Sequence, residues 1–305
     1  MTRRTPKNIA ASVRQRLLIK AKETGRPFSE LLQYFAMERF LYRLSKSRYA
    51  DYFVLKGALM LTVWQAPLTR PTMDIDLLGR IENSIETIVE VTRKICRQEV
   101  ESDGIAFDLA SIEAERIAED ADYEGIRIRF RGSLDTARFI IQLDIGFGDI
   151  VIPSPEPTNY PTLLDLPAPQ LRGYSRESII AEKFEAMVKL GILNSRMKDF
   201  FDIWLMSRQF DFEGSILAEA ISKTFSTRGT NIQAVPVALM NTFAEDTAKA
   251  AQWRGFVRKN RLVDVPQNLV EVVAAIAFFL RPIAEELAAN RVFKATWKAP
   301  GPWSE

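Results

Sequence analysis

The chain's 305 residues, 47% hydrophobic and 26% charged with a formal net charge of +2, describe a globular protein that can bury a real core in one large domain or two ordinary ones. Histidine is absent, which excludes a Ser-His-Asp triad, a Cys-His pair and the common zinc sites; any catalysis rests on carboxylates, lysines, hydroxyls or a metal held by oxygen. The lone Cys96 excludes an internal disulfide and suits a reducing compartment.

From the N-terminus, Arg3, Arg4, Lys7, Arg14, Arg16, Lys20, Lys22 and Arg26 are opposed only by Glu23, either as a patch that meets phosphates or as a solvated helix face. No apolar stretch follows them as in a secretory signal, and the longest apolar run, "VVAAIAFFL" at 272–280, is too short to span a bilayer. The expectation is a cytoplasmic protein with no membrane partner.

Ile9, Val13, Leu17 and Ala21 repeat at helical spacing, and after Pro27 and Ser29 "ELLQYFAMERFLYRLSKS" reads as a long helix with a broad apolar face. Tyr52–Leu55 is a short strand broken by Gly57, a helix is expected over 58–64, and "MDIDLL" is a second strand. An amphipathic helix from about Asn83 precedes three strands, "IAFDLASIEAERI", "EGIRIRFRGSL" and "ARFIIQLDIGFGD". In the middle one Ile126, Ile128 and Phe130 alternate with Arg127, Arg129 and Arg131, the mark of a half-buried strand. The last is nearly continuous apolar residues from Phe139 to Ile145 and reads as a core strand. "VIPSPEPTNYPTLLDLPAPQ" holds six prolines and reads as an irregular connector, and beyond residue 173 only helices are expected. The predicted layout is a helical lead-in (1–48), an α/β core (49–152), the proline-rich connector (153–172) and a helical C-terminal domain (173–305).

The chemistry concentrates in "RPTMDIDLLGR". Residues two apart on a strand share a face, so Asp74 and Asp76 point one way while Ile75 and Leu77 point the other. Two such carboxylates repel unless neutralised, by Arg70 or Arg80, or better by a divalent cation that prefers hard oxygen ligands. Asp144 is the one carboxylate in the apolar run "IIQLDIGFG". If its strand neighbours that of Asp74 and Asp76, three carboxylates converge as a site able to hold two metal ions for in-line phosphoryl transfer. Gly57, between a strand and a helix, offers backbone N–H groups that could cradle phosphate, though a glycine there is commonly a simple turn.

Strand, glycine and helix, then D-x-D on a strand, then a lone Asp on a later strand resemble the nucleotidyltransferase superfamily of the DNA polymerase β type. More narrowly, "FVLKGALML…RPTMDIDLL…ESIIAEKFEAMV…RMKDFFDIWLM" resembles the AbiEii nucleotidyltransferases, the toxin half of AbiE-type toxin–antitoxin systems associated with phage defence. Arg70, Thr72, Asp74, Ile75, Asp76 and Leu77 match one family string; Glu182, Lys183, Lys198, Asp199 and Asp202 match two others. Ala58 departs from the pattern, in which a hydroxyl-bearing residue or a second glycine usually follows the first glycine; the backbone donors remain.

The resemblance implies an α+β fold with a polymerase β-like core of mixed sheet and flanking helices, followed by a helical domain. It implies transfer of a nucleoside monophosphate from an NTP to an acceptor hydroxyl, with Mg²⁺ or Mn²⁺ on Asp74, Asp76 and Asp144. Asp144 would also favour deprotonation of the acceptor, and Lys183 would neutralise the triphosphate. Gly57, Ala58, Arg70 and Thr72 fall in the nucleotide-binding set. Asp199 and Asp202, on one helix face, either position Lys183 or the base, or pair with Arg196 and Lys198; Asp202 is assigned a functional role and Asp199 a binding one. The implied acceptor is the tRNA 3′ end, and the implied partner is an antitoxin. Alternatives left open are a protein or small-molecule acceptor, and an inactive member used for binding or regulation.

Overall fold

The computed structural model describes residues 8–66, 70–120 and 123–305. Its elements, in order, are α1 (Ile9–Thr24), α2 (Phe28–Lys46), β1 (Phe53–Lys56), α3 (Leu59–Val63), β2 (Asp74–Gly79), α4 (Ile85–Cys96), β3 (Ile105–Asp120), β4 (Tyr123–Leu134), β5 (Ala137–Phe147), β6 (Glu156–Asn159) and β7 (Gln170–Gly173). There follow α5 (Arg176–Leu190), α6 (Met197–Gln209), β8 (Phe212–Glu213), α7 (Gly214–Thr227), α8 (Asn241–Ala244), α9 (Thr247–Lys259), α10 (Leu269–Ala288), β9 (Thr296–Trp297) and β10 (Trp303–Ser304). They fall into two compact units, one of Met1–Gln65, Thr72–Gly148 and Glu156–Gly173, the other of Ala66–Pro71, Asp149–Pro155 and Tyr174–Glu305. The α+β class expected from the sequence is the one observed.

The first unit is a seven-stranded sheet in the order β3-β4-β5-β2-β1-β7-β6. β2 runs parallel to β5 and β1 parallel to β7, while the other neighbours are antiparallel. The strands place Ile75, Leu77, Ile126, Ile128, Phe130, Ile141 and Leu143 on one buried face, and α2 and α4 pack against that sheet. Helix α1 starts where the Asn8 side chain accepts the Ala11 N–H at 3.0 Å, and it stops at Gly25 in the left-handed region. Helix α2 is buried nearly all round between Leu31 and Leu44, beyond the one broad face expected. Two ion pairs hold buried charges of this helix: Arg43 forks onto Asp103 at 2.7 and 3.0 Å, and Glu38 lies 2.7 Å from Arg39.

Two readings change in this unit. β5 is covered on one face only: Ile140 is 57% exposed while Ile141 is fully buried, so the continuous apolar run does not make a doubly buried strand. The proline-rich stretch is also not wholly irregular. It holds β6 and β7, and Pro157 is tolerated because β6 lies at the sheet edge, where a missing N–H costs no ladder bond.

The second unit is mainly helical around α6, whose residues Met197 and Asp199 to Ser207 are all buried. It also carries a three-stranded sheet, β10-β9-β8, where only helices were expected. Strands of two residues show no periodicity to read. An aromatic cluster anchors them: Trp297 donates its indole N–H to Ser207 O at 2.6 Å, and Phe279 stacks on Trp303 with centroids 5.5 Å apart. Residues 241–259 hold two helices, α8 and α9, with Asp246 capping the second through Lys249 N. Among the described residues no helix is long and apolar enough to cross a membrane.

Candidate active site

β2 begins at Asp74, and its alternation sends Ile75 and Leu77 into the core while Asp74 and Asp76 stay half-buried on the opposite face. The parallel pairing of β2 with β5 sets Asp76 directly beside Asp144. One ligand oxygen from each of Asp74, Asp76 and Asp144 lies within 4.8 Å of the other two. Three hard oxygen donors so close fit a divalent cation of the Mg²⁺ or Mn²⁺ type.

Gly57 shows what makes room for them. Its φ is +71°, and a Cβ there would stand 1.9 Å from Asp76 Oδ2 and 2.8 Å from Asp76 Cβ. The glycine is therefore required by the approach of the carboxylate as well as by the turn. Ala58 follows, buried, and leads into α3. Thr72, also buried, donates its hydroxyl to Asp74 Oδ1 at 2.5 Å, and its own N–H is accepted by the Tyr34 hydroxyl at 3.0 Å. Next to Tyr34, Gln33 donates from Nε2 to Met73 O at 3.1 Å and Ile140 O at 2.8 Å, tying together the segments that lead into Asp74 and Asp144.

The charge balance comes from an unexpected residue. Arg127, on β4, forks onto Asp144 with both bonds at 2.7 Å, and the Asp144 carboxylate raises the guanidinium pKa. Of the two arginines suggested for Asp74 and Asp76, Arg70 forks onto Asp202 at 3.0 Å twice, and Arg80 is exposed just past β2. Strand register extends the pattern. Glu115, Arg127, Asp144, Asp76 and Lys56 are successive cross-strand partners over β3, β4, β5, β2 and β1. Residues directly opposite share a face, so two carboxylates sit in this row between two cations. The sequence does not point to Arg127 or Lys56, because that row exists only in the pairing.

In the second unit Lys183, on α5, donates to Asp199 at 2.7 Å and lies 2.9 Å from Asp202. Asp199 also accepts from Arg196 at 2.6 Å. Lys183 is thus held in a buried network, while Lys198 is exposed. Burial pulls the Lys183 pKa down, but Asp199 and Asp202 outweigh it and the ammonium is held charged. Burial likewise opposes ionisation of Asp199 and Asp202. Lys183 and Arg196 reverse that for Asp199, bringing it down to about 2; Arg70 and Lys183 do so for Asp202. Glu182, beside Lys183, lies 3.3 Å from Arg228.

The family model described as "Nucleotidyl transferase AbiEii toxin, Type IV TA system" matches residues 39–275. Similar solved structures include a proposed nucleotidyltransferase from H. pylori, 14% identical with a TM-score of 0.47 over 85% of this chain and 96% of that one. Another is JHP933 from Helicobacter pylori, 14% identical with a TM-score of 0.46 over 86% of this chain and 94% of that one. A search of curated proteins finds no match. The matched range runs through both carboxylate strands and through the helices of Lys183, Asp199 and Asp202, and the chain belongs to the AbiEii nucleotidyltransferase toxin family.

Proposed function

We propose that the protein transfers a nucleoside monophosphate from an NTP to an acceptor hydroxyl at the Asp74, Asp76 and Asp144 cluster. The observation that carries this reading is the convergence of three carboxylate oxygens within 4.8 Å on adjacent parallel strands in a chain of a nucleotidyltransferase family. Mg²⁺ or Mn²⁺ held by these residues would polarise the α-phosphate and lower the pKa of the attacking hydroxyl. Thr72 fixes the rotamer of Asp74, and Gly57 leaves room for Asp76. Gly57 and Ala58 offer backbone N–H groups to the phosphates, and Asp144 accepts the proton or holds the ligand that promotes its loss.

To the second unit's network we assign a nucleotide-binding role. Arg70, Lys183 and Arg196 gather around Asp199 and Asp202, which hold three cationic groups in one place. Asp199 and Asp202 act on Lys183 as positioning residues.

The acceptor we favour is the tRNA 3′ end, and the partner in the cell an antitoxin. The charge of α1 supports an RNA acceptor: Arg16, Lys20 and Lys22 lie along it, while Arg14 approaches Asp135 at 3.8 Å and Arg26 pairs with Glu30 at 2.7 Å. Arg3, Arg4 and Lys7 lie outside the described residues. The test is a denaturing gel after incubation with Mg²⁺, each α-³²P NTP in turn and total tRNA, with Asp76→Ala alongside. Label on tRNA from one NTP, lost in the variant and weakened by salt, is expected. Label appearing instead on protein, or on a small molecule, would overturn the tRNA assignment.

A further inference from the structure

Asp144 is bonded in a way that bears on how the site takes a cation. Arg127 Nε donates to Oδ1 and Nη2 to Oδ2, both at 2.7 Å. Gln142 Nε2 reaches the same two oxygens at 3.2 and 3.3 Å. A carboxylate offers about four lone-pair positions, and four donor contacts engage those of Asp144. A hard cation needs such a lone pair, so a cation that adds to Asp144 competes with these donors. Arg127 holds the shorter pair of contacts and carries the charge that opposes the cation.

We propose that Arg127 is the site's own counter-cation: it holds Asp144 in the metal-free protein and competes with the divalent cation for that carboxylate. This deepens the reading of Asp74, Asp76 and Asp144 as a metal centre and rests on it. The register row supplies a place for the displaced arginine. Glu115 faces Arg127 from β3, on the side away from Asp144, and is already engaged by a guanidinium, that of Arg129, at 3.0 Å. Arg127 is also only partly covered, its side chain 27% exposed, so a change of rotamer needs no opening of the core. Its function is twofold. It removes the repulsion among three neighbouring carboxylates when no metal is present, and it raises the cation concentration at which the centre fills.

The sign of one measurement decides the matter. Removing the guanidinium deletes a like charge beside the cation and frees both Asp144 oxygens, so Mn²⁺ should bind Arg127→Gln about ten-fold more tightly or better than wild type. Free Mn²⁺ is counted by its EPR signal during titration, with circular dichroism and thermal melting confirming the fold. Arg127→Lys keeps a charge but loses the fork, and should show a smaller tightening; it carries the test if the glutamine variant does not fold. A purely structural pair predicts the opposite, because losing it would loosen Asp144 and weaken the site. Unchanged or weaker Mn²⁺ binding in the folded variants, with wild type binding normally, overturns the role of Arg127 alone. Absence of Mn²⁺ binding in wild type and variants alike overturns the metal centre as well.

Discussion

Gly57→Ala separates steric fit from backbone conformation at the carboxylate cluster. At φ +71° the new methyl group would stand 1.9 Å from Asp76 Oδ2, 2.6 Å from its Cγ and 2.8 Å from its Cβ. Contacts under 3.0 Å are not tolerated, so Oδ2 must retreat by at least 1.1 Å, and because Asp76 Cβ is also too near, β2 must give as well. A left-handed alanine costs about 1–2 kcal/mol by itself. Gly25 isolates that share: its φ is +68°, and a Cβ there meets nothing within 4 Å. Urea unfolding should therefore show Gly25→Ala losing only the backbone share and Gly57→Ala losing more. In the transfer assay, a carboxylate of the proposed centre misplaced by ~1 Å should cost on the order of 10²-fold in rate, whereas Gly25→Ala should retain full activity. Equal losses of stability in the two variants, or normal turnover by Gly57→Ala, would refute the reasoning.

Asp202→Ala strips a shared carboxylate from Arg70 and Lys183, two cations in a buried network, and should cost about 3–5 kcal/mol in denaturant unfolding. A loss under about 1 kcal/mol would mean the network is solvated. Asp199, held at about 2 against an ordinary 3.8, contributes stability that is complete above pH 4 and lost as pH falls through 2. Acid unfolding of Asp199→Asn, compared with wild type, should lack that component of the pH slope; identical slopes would contradict the pairing.

What the sequence made legible was local. The period of two put Asp74 and Asp76 on one face whatever the sheet around them, and a carboxylate in the apolar run around Asp144 marked itself. The helices of Lys183 and of Asp199 and Asp202 were readable as helical stretches beyond residue 173. Pairing was not legible. Nothing along the chain says that Arg127 lies opposite Asp144 or Lys56 opposite Asp76, so neither was among the residues expected at the carboxylates. Nor does an apolar run reveal how many of its faces are covered, which is why Ile140 looked like core. Gln33 and Tyr34 reach the approaches to the carboxylate strands from a helix that reads only as packing, because one side-chain amide bridging two carbonyls leaves no pattern in sequence.

The central claim, nucleotidyl transfer at the three carboxylates, is tested most directly by which phosphate of the NTP stays behind. Wild-type protein and Asp76→Ala are incubated with Mg²⁺, acceptor RNA and the same NTP labelled at the α or the γ position, and acid-insoluble label and released pyrophosphate are counted. The account predicts α label on the acceptor, γ label leaving only as pyrophosphate, and neither event in Asp76→Ala. Transfer of γ label to the acceptor, or α transfer that survives the loss of Asp76, would contradict it.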